Sequence, residues 1–225
     1  MANLLVAIIR FLMMAVTDLA MLPALYVMQN NRRHFECFIG CFHLIISVIF
    51  NVSGAFGINI FLSELEWHSI SDILSITYAL LLIVHVMAIE NEQYNILLRY
   101  LAFSLSWISQ LKDKWDSTTY QSLLIALYSI GLILRYTMTG GMFGYIRNTI
   151  DFDQAMKAGV SLTILALTYI LSIQSFFSAD PLNLLYATYH VAGGSFFYFS
   201  WKCIPFRDEH KKDDDFVLPT QAAYV

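Results

Sequence analysis

Seven long apolar stretches fill this 225-residue chain, at about 3–28, 36–58, 70–90, 95–111, 119–138, 156–176 and 182–203. Crossing the hydrocarbon of a bilayer takes about 20 apolar residues in a helix, because lipid offers no partner to an open backbone polar group. The pattern therefore predicts an all-α, polytopic membrane protein, a seven-transmembrane-helix bundle. With 58% hydrophobic and 13% charged residues and a mean hydropathy of +0.60, the chain has too little polar surface for a soluble domain of this length. Its net charge of −4, with charged residues gathered mainly in connectors and the C-terminal stretch, argues against a nucleic-acid partner.

Orientation follows from basic residues, which stay in the cytoplasm when they fall in short loops. Arg32, Arg33, Arg135, Arg147, Lys157, Lys202, Arg207, Lys211 and Lys212 share one side, and Lys112 and Lys114 oppose them. The N-terminus is thus expected outside and the C-terminus in the cytosol. Residues 1–204 are expected to form the membrane domain and 205–225 a mobile cytosolic tail. The first stretch is expected to stay as a signal anchor, since it is long and no small-residue cleavage site follows it. The fourth, interrupted by Arg99, Ser104, Ser106 and Ser109, is expected to be shielded by its neighbours. Trp67, Trp115 and Trp201 fall near segment ends, where indole rings settle at headgroup level. Cys37, Cys41 and Cys203 have no metal-site or disulfide spacing.

Polar residues inside such stretches are costly and often mark a site. Ser47 and Asn51, one turn apart in the second span, fall at the same expected depth as Arg10, as Asp72 near the start of the third span, and as Tyr186 and His190 in the seventh. Each has a bland alternative. Ser, Asn and Tyr join membrane helices by ordinary hydrogen bonds, Ser71-Asp72 can cap a helix start, and Arg10 can reach out to headgroups. Their coincidence at one level favours a site. His43, one turn deeper than Ser47, and His85, nearer the cytosol, are expected to be buried, neutral and hydrogen-bonded. The Asn51-Val52-Ser53 sequon lies inside a span, so glycosylation there is not expected.

Leu19-Ala20-Met21-Leu22-Pro23, the following Glu36, Arg10, Ser71-Asp72, Asp113-Lys114-Trp115 with Tyr120, and Tyr189-His190 together resemble the myomaker and transmembrane-8 family over nearly the whole chain. That family is grouped with alkaline ceramidases and adiponectin receptors, whose members hold zinc with a Ser-x-x-x-His, an Asp and a His-x-x-x-His. Such zinc would activate water toward an ester or amide. Here Asn51 and Tyr186 stand where two of the three imidazoles would be. The resemblance thus implies no confident catalytic residue and no cofactor, with zinc disfavoured or held loosely by Asp72 and His190.

The resemblance implies a myomaker-like multi-pass plasma-membrane protein that promotes cell–cell fusion, notably of myoblasts, acting on outer-leaflet lipid without hydrolysis. Arg10, Asp113, Lys114 and Trp115 would meet headgroups. Membrane lipid, a second fusion factor or another copy of the chain are the expected partners. Cys203 is a candidate for lipidation, and Ala223-Tyr224-Val225 for a groove that adds a strand. The alternative is an intramembrane lipid hydrolase with a degenerate metal site, in which His190 activates Ser47 and Asp72 completes the set.

Overall fold

A computed structural model describes residues 2–89, 91–112, 119–138, 150–173 and 184–204. Among them the chain forms α1 (Ala2–Asp18), a 3-10 turn (Leu19–Met21), α2 (Leu22–Asn30), α3 (His34–Phe56), α4 (Glu64–Val86), α5 (Glu92–Lys112), α6 (Thr119–Met138), α7 (Phe152–Ile173) and α8 (Leu184–Cys203). No named strand occurs among the described residues; Ile60 and Leu62 form only an isolated bridge. Five helical stretches are long and apolar enough to cross a membrane: Ala7–Asn30, His34–Phe56, Glu64–Val86, Thr119–Met138 and Phe152–Leu171. Helices α5 and α8 span 21 and 20 residues but are not among the five. The chain is a helical membrane protein.

The first stretch tightens locally through chemistry written in its sequence. Pro23 has no N–H, so it cannot donate to the carbonyl of Leu19 four residues back. The Leu22 N–H takes that carbonyl instead, and the shorter i to i+3 bond tightens the chain into the 3-10 turn. Asp18 is thereby left at the last position of α1.

The α2–α3 link closes with Arg33 N–H on Met28 O at 3.0 Å and Arg32 N–H on Gln29 O at 3.1 Å. This is a Schellman ending, and Arg32 takes the left-handed position with φ +54°, where glycine is usual. After Gly57, which ends α3 at φ +62°, Ser63 and Glu66 form a reciprocal capping box that starts α4. The interval between the second and third apolar stretches is therefore helical from Glu64 onward. Ser71 and Asp72 lie two turns inside α4 rather than capping it, because Ser63 already satisfies the first-turn amides.

Helix α4 is the centre of the bundle. Ile73, Leu74, Thr77, Tyr78, Leu80, Leu81 and Val84 on it are fully buried, and it packs against α3, α5 and α6. Tyr128 OH on Leu98 O (3.0 Å) and Tyr136 OH on Val86 O (2.7 Å) tie α6 to α5 and α4. Helix α8 packs on α7 and on the first stretch. Its closest approach is at Gly194, where a Cβ would stand 2.5 Å from the carbonyl oxygen of Ala20, so only glycine fits. Outward faces carry Phe38, Leu123 and Leu167 more than half exposed, the polarity expected of a surface in contact with lipid.

Two of the tryptophans sit near helix ends, in the first turn of α4 and the last turn of α8, and both are buried among the helices. Trp67 is 8% exposed and Trp201 is fully buried. The Trp67 indole N–H reaches Ile60 O at 2.8 Å, and Trp201 packs edge-on against His85 at 5.4 Å. Trp115 lies outside the described residues.

Candidate functional site

Three helices meet on one carboxylate. Asp18, 2% exposed, projects from the end of α1. Its Oδ2 accepts from Ser47 Oγ at 2.8 Å and from Asn51 Nδ2 at 2.5 Å, both on α3 one turn apart. Tyr186 OH on α8 donates to Asn51 Oδ1 at 3.2 Å. One turn along, His190 Nδ1 stands 2.6 Å from Asp18 Oδ1, the only close polar neighbour recorded for that oxygen among the described residues. The Tyr186 and His190 rings lie 4.1 Å apart. The two bonds to Oδ2 take up part of what burial of the carboxylate costs, each contributing about 1.5–3 kcal/mol, while Oδ1 meets His190 by proximity alone, without hydrogen-bond geometry, among the described residues.

The structure thus brings together Ser47, Asn51, Tyr186 and His190, but around Asp18 rather than Asp72. Asp72 turns to His68 Nδ1, 3.1 Å away on the same helix face, and its side chain is 39% exposed. The Ser47–His190–Asp72 set is therefore not assembled: Ser47 and His190 both face Asp18. His43 bonds to α4 instead, with Nε2 at 2.9 Å from Ser75 Oγ and 3.2 Å from Ser71 Oγ. Asn51 is fully buried, so its amide is closed to glycosylation. Cys203, expected to be open to lipidation, is 8% exposed, and its thiol donates to Phe199 O at 3.1 Å. The Arg10 side chain and all of Asp113, Lys114 and Trp115 lie outside the described residues, as does the tail from residue 205.

A second buried network, which the sequence reading missed, occupies the other end of α3. Glu36 is fully buried. Its Oε1 meets His85 Nε2 at 2.7 Å and Arg99 Nη1 at 3.0 Å. Arg33 Nη1 donates to His85 Nδ1. A guanidinium has no acceptor, so that ring nitrogen is unprotonated; His85 is neutral and gives its Nε2 proton to Glu36. Arg99 is accordingly shielded by α3 and α4, as its polar span requires. The signal available for both networks was the presence of Asp18, Glu36 and Arg99 in apolar stretches, since a membrane helix rarely carries an ionised group unpaired.

These donors do not suit zinc. Among the described residues no three His, Cys, Asp or Glu side chains stand close enough to share an ion. At Asp18 the sole imidazole and the sole carboxylate face each other at 2.6 Å, so an ion could enter only by parting them. Asn51 and Tyr186 are neutral and already bonded to the cluster. The arrangement can lock α1, α3 and α8 together.

No curated protein matches the chain. The profile of a family described as proteins of unknown function, DUF3522, matches residues 6–191. That match spans most of the sequence and includes both ends of the Asp18 cluster, from Asp18 to His190. The chain belongs to this family.

Proposed function

We propose that this is a seven-span plasma-membrane protein of the myomaker type, promoting cell–cell fusion by acting on outer-leaflet lipid without hydrolysing it. The carrying observation is that Asn51 and Tyr186, which stand where a metal-bearing relative would have imidazoles, are already engaged, Asn51 on Asp18 and Tyr186 on Asn51. The site is closed by its own hydrogen bonds and works as a clasp between helices. Helices α5 and α8 serve as the two further spans. At 1.5 Å per residue they reach about 30 Å, enough for the hydrocarbon core. Two of their polar groups are directed inward, Arg99 on Glu36 and Tyr186 on Asn51. The N-terminus is outside and residues 205–225 are cytosolic, as the distribution of basic residues favours.

A lipid hydrolase is the second reading, favoured by one observation. A buried carboxylate against His190 Nδ1 is how a general base is oriented, and Ser47 lies on the same carboxylate. Its hydroxyl now donates to Asp18, so it must turn to His190 before it can attack an ester or amide.

The test expresses the chain in non-fusing fibroblasts at matched surface levels. Fusion is expected with the wild type and with His190→Gln, and is expected to fail with Arg10→Ala or Trp115→Ala. Stoichiometric zinc in the purified protein would overturn the non-catalytic reading. So would lipid ester or amide cleavage abolished by Ser47→Ala.

A further inference from the structure

The turn between α3 and α4 presents a phenyl ring that the bundle does not bury. From Gly54 to Leu62 the chain carries no charged residue, and Asn59 is the one polar side chain there. Phe61 is 95% exposed, and Ile58 and Ile60 beside it are exposed as well. The backbone enforces this display. The Leu62 N–H donates to Ile60 O at 2.7 Å, with Phe61 between them at φ +62°. Such a left-handed γ-turn is rare and strained, and a bulky side chain at positive φ is an outlier. Glycine would sit there without strain and without exposing apolar surface. Both sides of the turn are pinned. Ser53 Oγ donates to Ile58 O at 2.6 Å, and the Trp67 indole N–H joins Leu62 on Ile60 O at 2.8 Å. Backbone strain persists only where the surroundings fix it, and it gathers at sites that hold a ligand.

What meets the ring follows from its place beside the bilayer. Helix α3 has 23 residues. At 1.5 Å per residue it rises about 35 Å, against about 30 Å of hydrocarbon, so the turn stands where headgroups meet acyl chains. An outward stripe of Phe38, Phe42, Ile45 and Phe56 runs along one face of α3 to the turn. Exposed Leu65 continues it on α4. The turn is thus an extension of the lipid-facing side of the bundle. Charge points to the same occupant. No Lys or Arg lies between Arg33 and Arg99, and Glu64 and Glu66 follow the turn, so the surface suits neutral lipid rather than anionic headgroups.

We propose that residues 57–62 form a wedge that seats the Phe61 ring, flanked by Ile58 and Ile60, among the acyl chains of the bilayer the protein itself spans. A ring held on a fixed turn inserts without the cost of ordering a loose loop. Its bulk spreads the headgroups of one leaflet and bares acyl chain, which is how the chain acts on lipid in the proposed role. That this leaflet is the outer one rests on the proposed orientation; the insertion itself does not.

The full chain, carrying Cys37→Ala, Cys41→Ala and Cys203→Ala, is labelled with the fluorophore NBD at Phe61→Cys and placed in phosphatidylcholine nanodiscs. The label stands in for the ring. A blue-shifted emission is expected, quenched by lipids with doxyl groups high on the acyl chains and untouched by iodide in the buffer. The same label at Asp153→Cys, at the exposed start of α7, should show the reverse. The proposal falls if iodide quenches both positions alike. It also falls if doxyl lipid quenches position 61 only when supplied in separate vesicles, since the ring would then meet an apposed bilayer. Phe61→Gly supplies a second readout. It relieves the left-handed strain, so its thermal stability should hold or rise, while fusion of fibroblasts at matched surface levels should be lost. Fusion equal to that of the wild type would overturn the role of the wedge. A wild type that fails to fuse cells would sink the proposed function alone, because the quenching judges the insertion independently.

Discussion

Gly194→Ala tests the contact that sets α8 against the first stretch. The added Cβ would stand 2.5 Å from Ala20 O, 2.6 Å from Ala20 C and 2.8 Å from Ala20 Cβ, where ordinary contact begins at 3.4 Å. Two of these atoms are backbone, so no side chain can swing aside, and the helices must separate by close to an ångström. His190 lies one turn before Gly194 and Asp18 two residues before Ala20, so the 2.6 Å approach of His190 to Asp18 lengthens with them. Overpacking of this kind costs about 1–3 kcal/mol, and the better helix propensity of alanine offsets about 0.5–1, for a net loss of about 1–2 kcal/mol. Gly193→Ala is the internal control. Its Cβ would meet only Leu165 Cδ1 at 3.6 Å, so that variant should match the wild type or gain about 0.5–1 kcal/mol. Reversible denaturant unfolding in mixed micelles measures both. Equal shifts in the two variants, or a Gly194→Ala protein as stable as the wild type, would refute the close-approach argument.

Other perturbations probe the two buried networks. Glu36→Ala strips Arg99 and His85 of their shared acceptor and should cost about 3–5 kcal/mol in the same unfolding assay; a loss under 1 kcal/mol would mean that the cluster is solvated. A double-mutant cycle on Asp18→Asn and Ser47→Ala should show a coupling of about 1–2 kcal/mol, whereas additive effects would separate the two groups. Tyr136→Phe, which deletes the donor to Val86 O, should lower stability by about 1 kcal/mol. No change there would place that hydroxyl in contact with water or lipid headgroups instead.

Helical periodicity made some of the Asp18 site visible in advance. Ser47 with Asn51 and Tyr186 with His190 are i, i+4 pairs, and any helix puts such pairs on one face. The carboxylate they meet was not legible. Asp72 was the carboxylate expected there and Asp18 was not singled out; which of them meets the pairs depends on how α4 is rotated about its axis and where it starts. The capping box at Ser63 begins α4 at Glu64, which carries Asp72 into the helix and leaves it facing His68. Pro23 and the 3-10 turn hold Asp18 where Gly194 lets α8 close against Ala20.

The amino-acid order alone determined that this chain is a bundle of membrane helices, because long apolar stretches have no other way to satisfy their backbone in lipid. It also determined the 3-10 turn before Pro23 and the residues that share a helical face, since these depend on neighbours a turn apart. Only the packed structure decided that Asp18 gathers Ser47, Asn51 and His190, and that Glu36 holds His85 and Arg99. Those partners lie 29 to 172 positions apart in the chain. Which buried charges meet depends on the rotation and spacing of whole helices, a property no local stretch encodes.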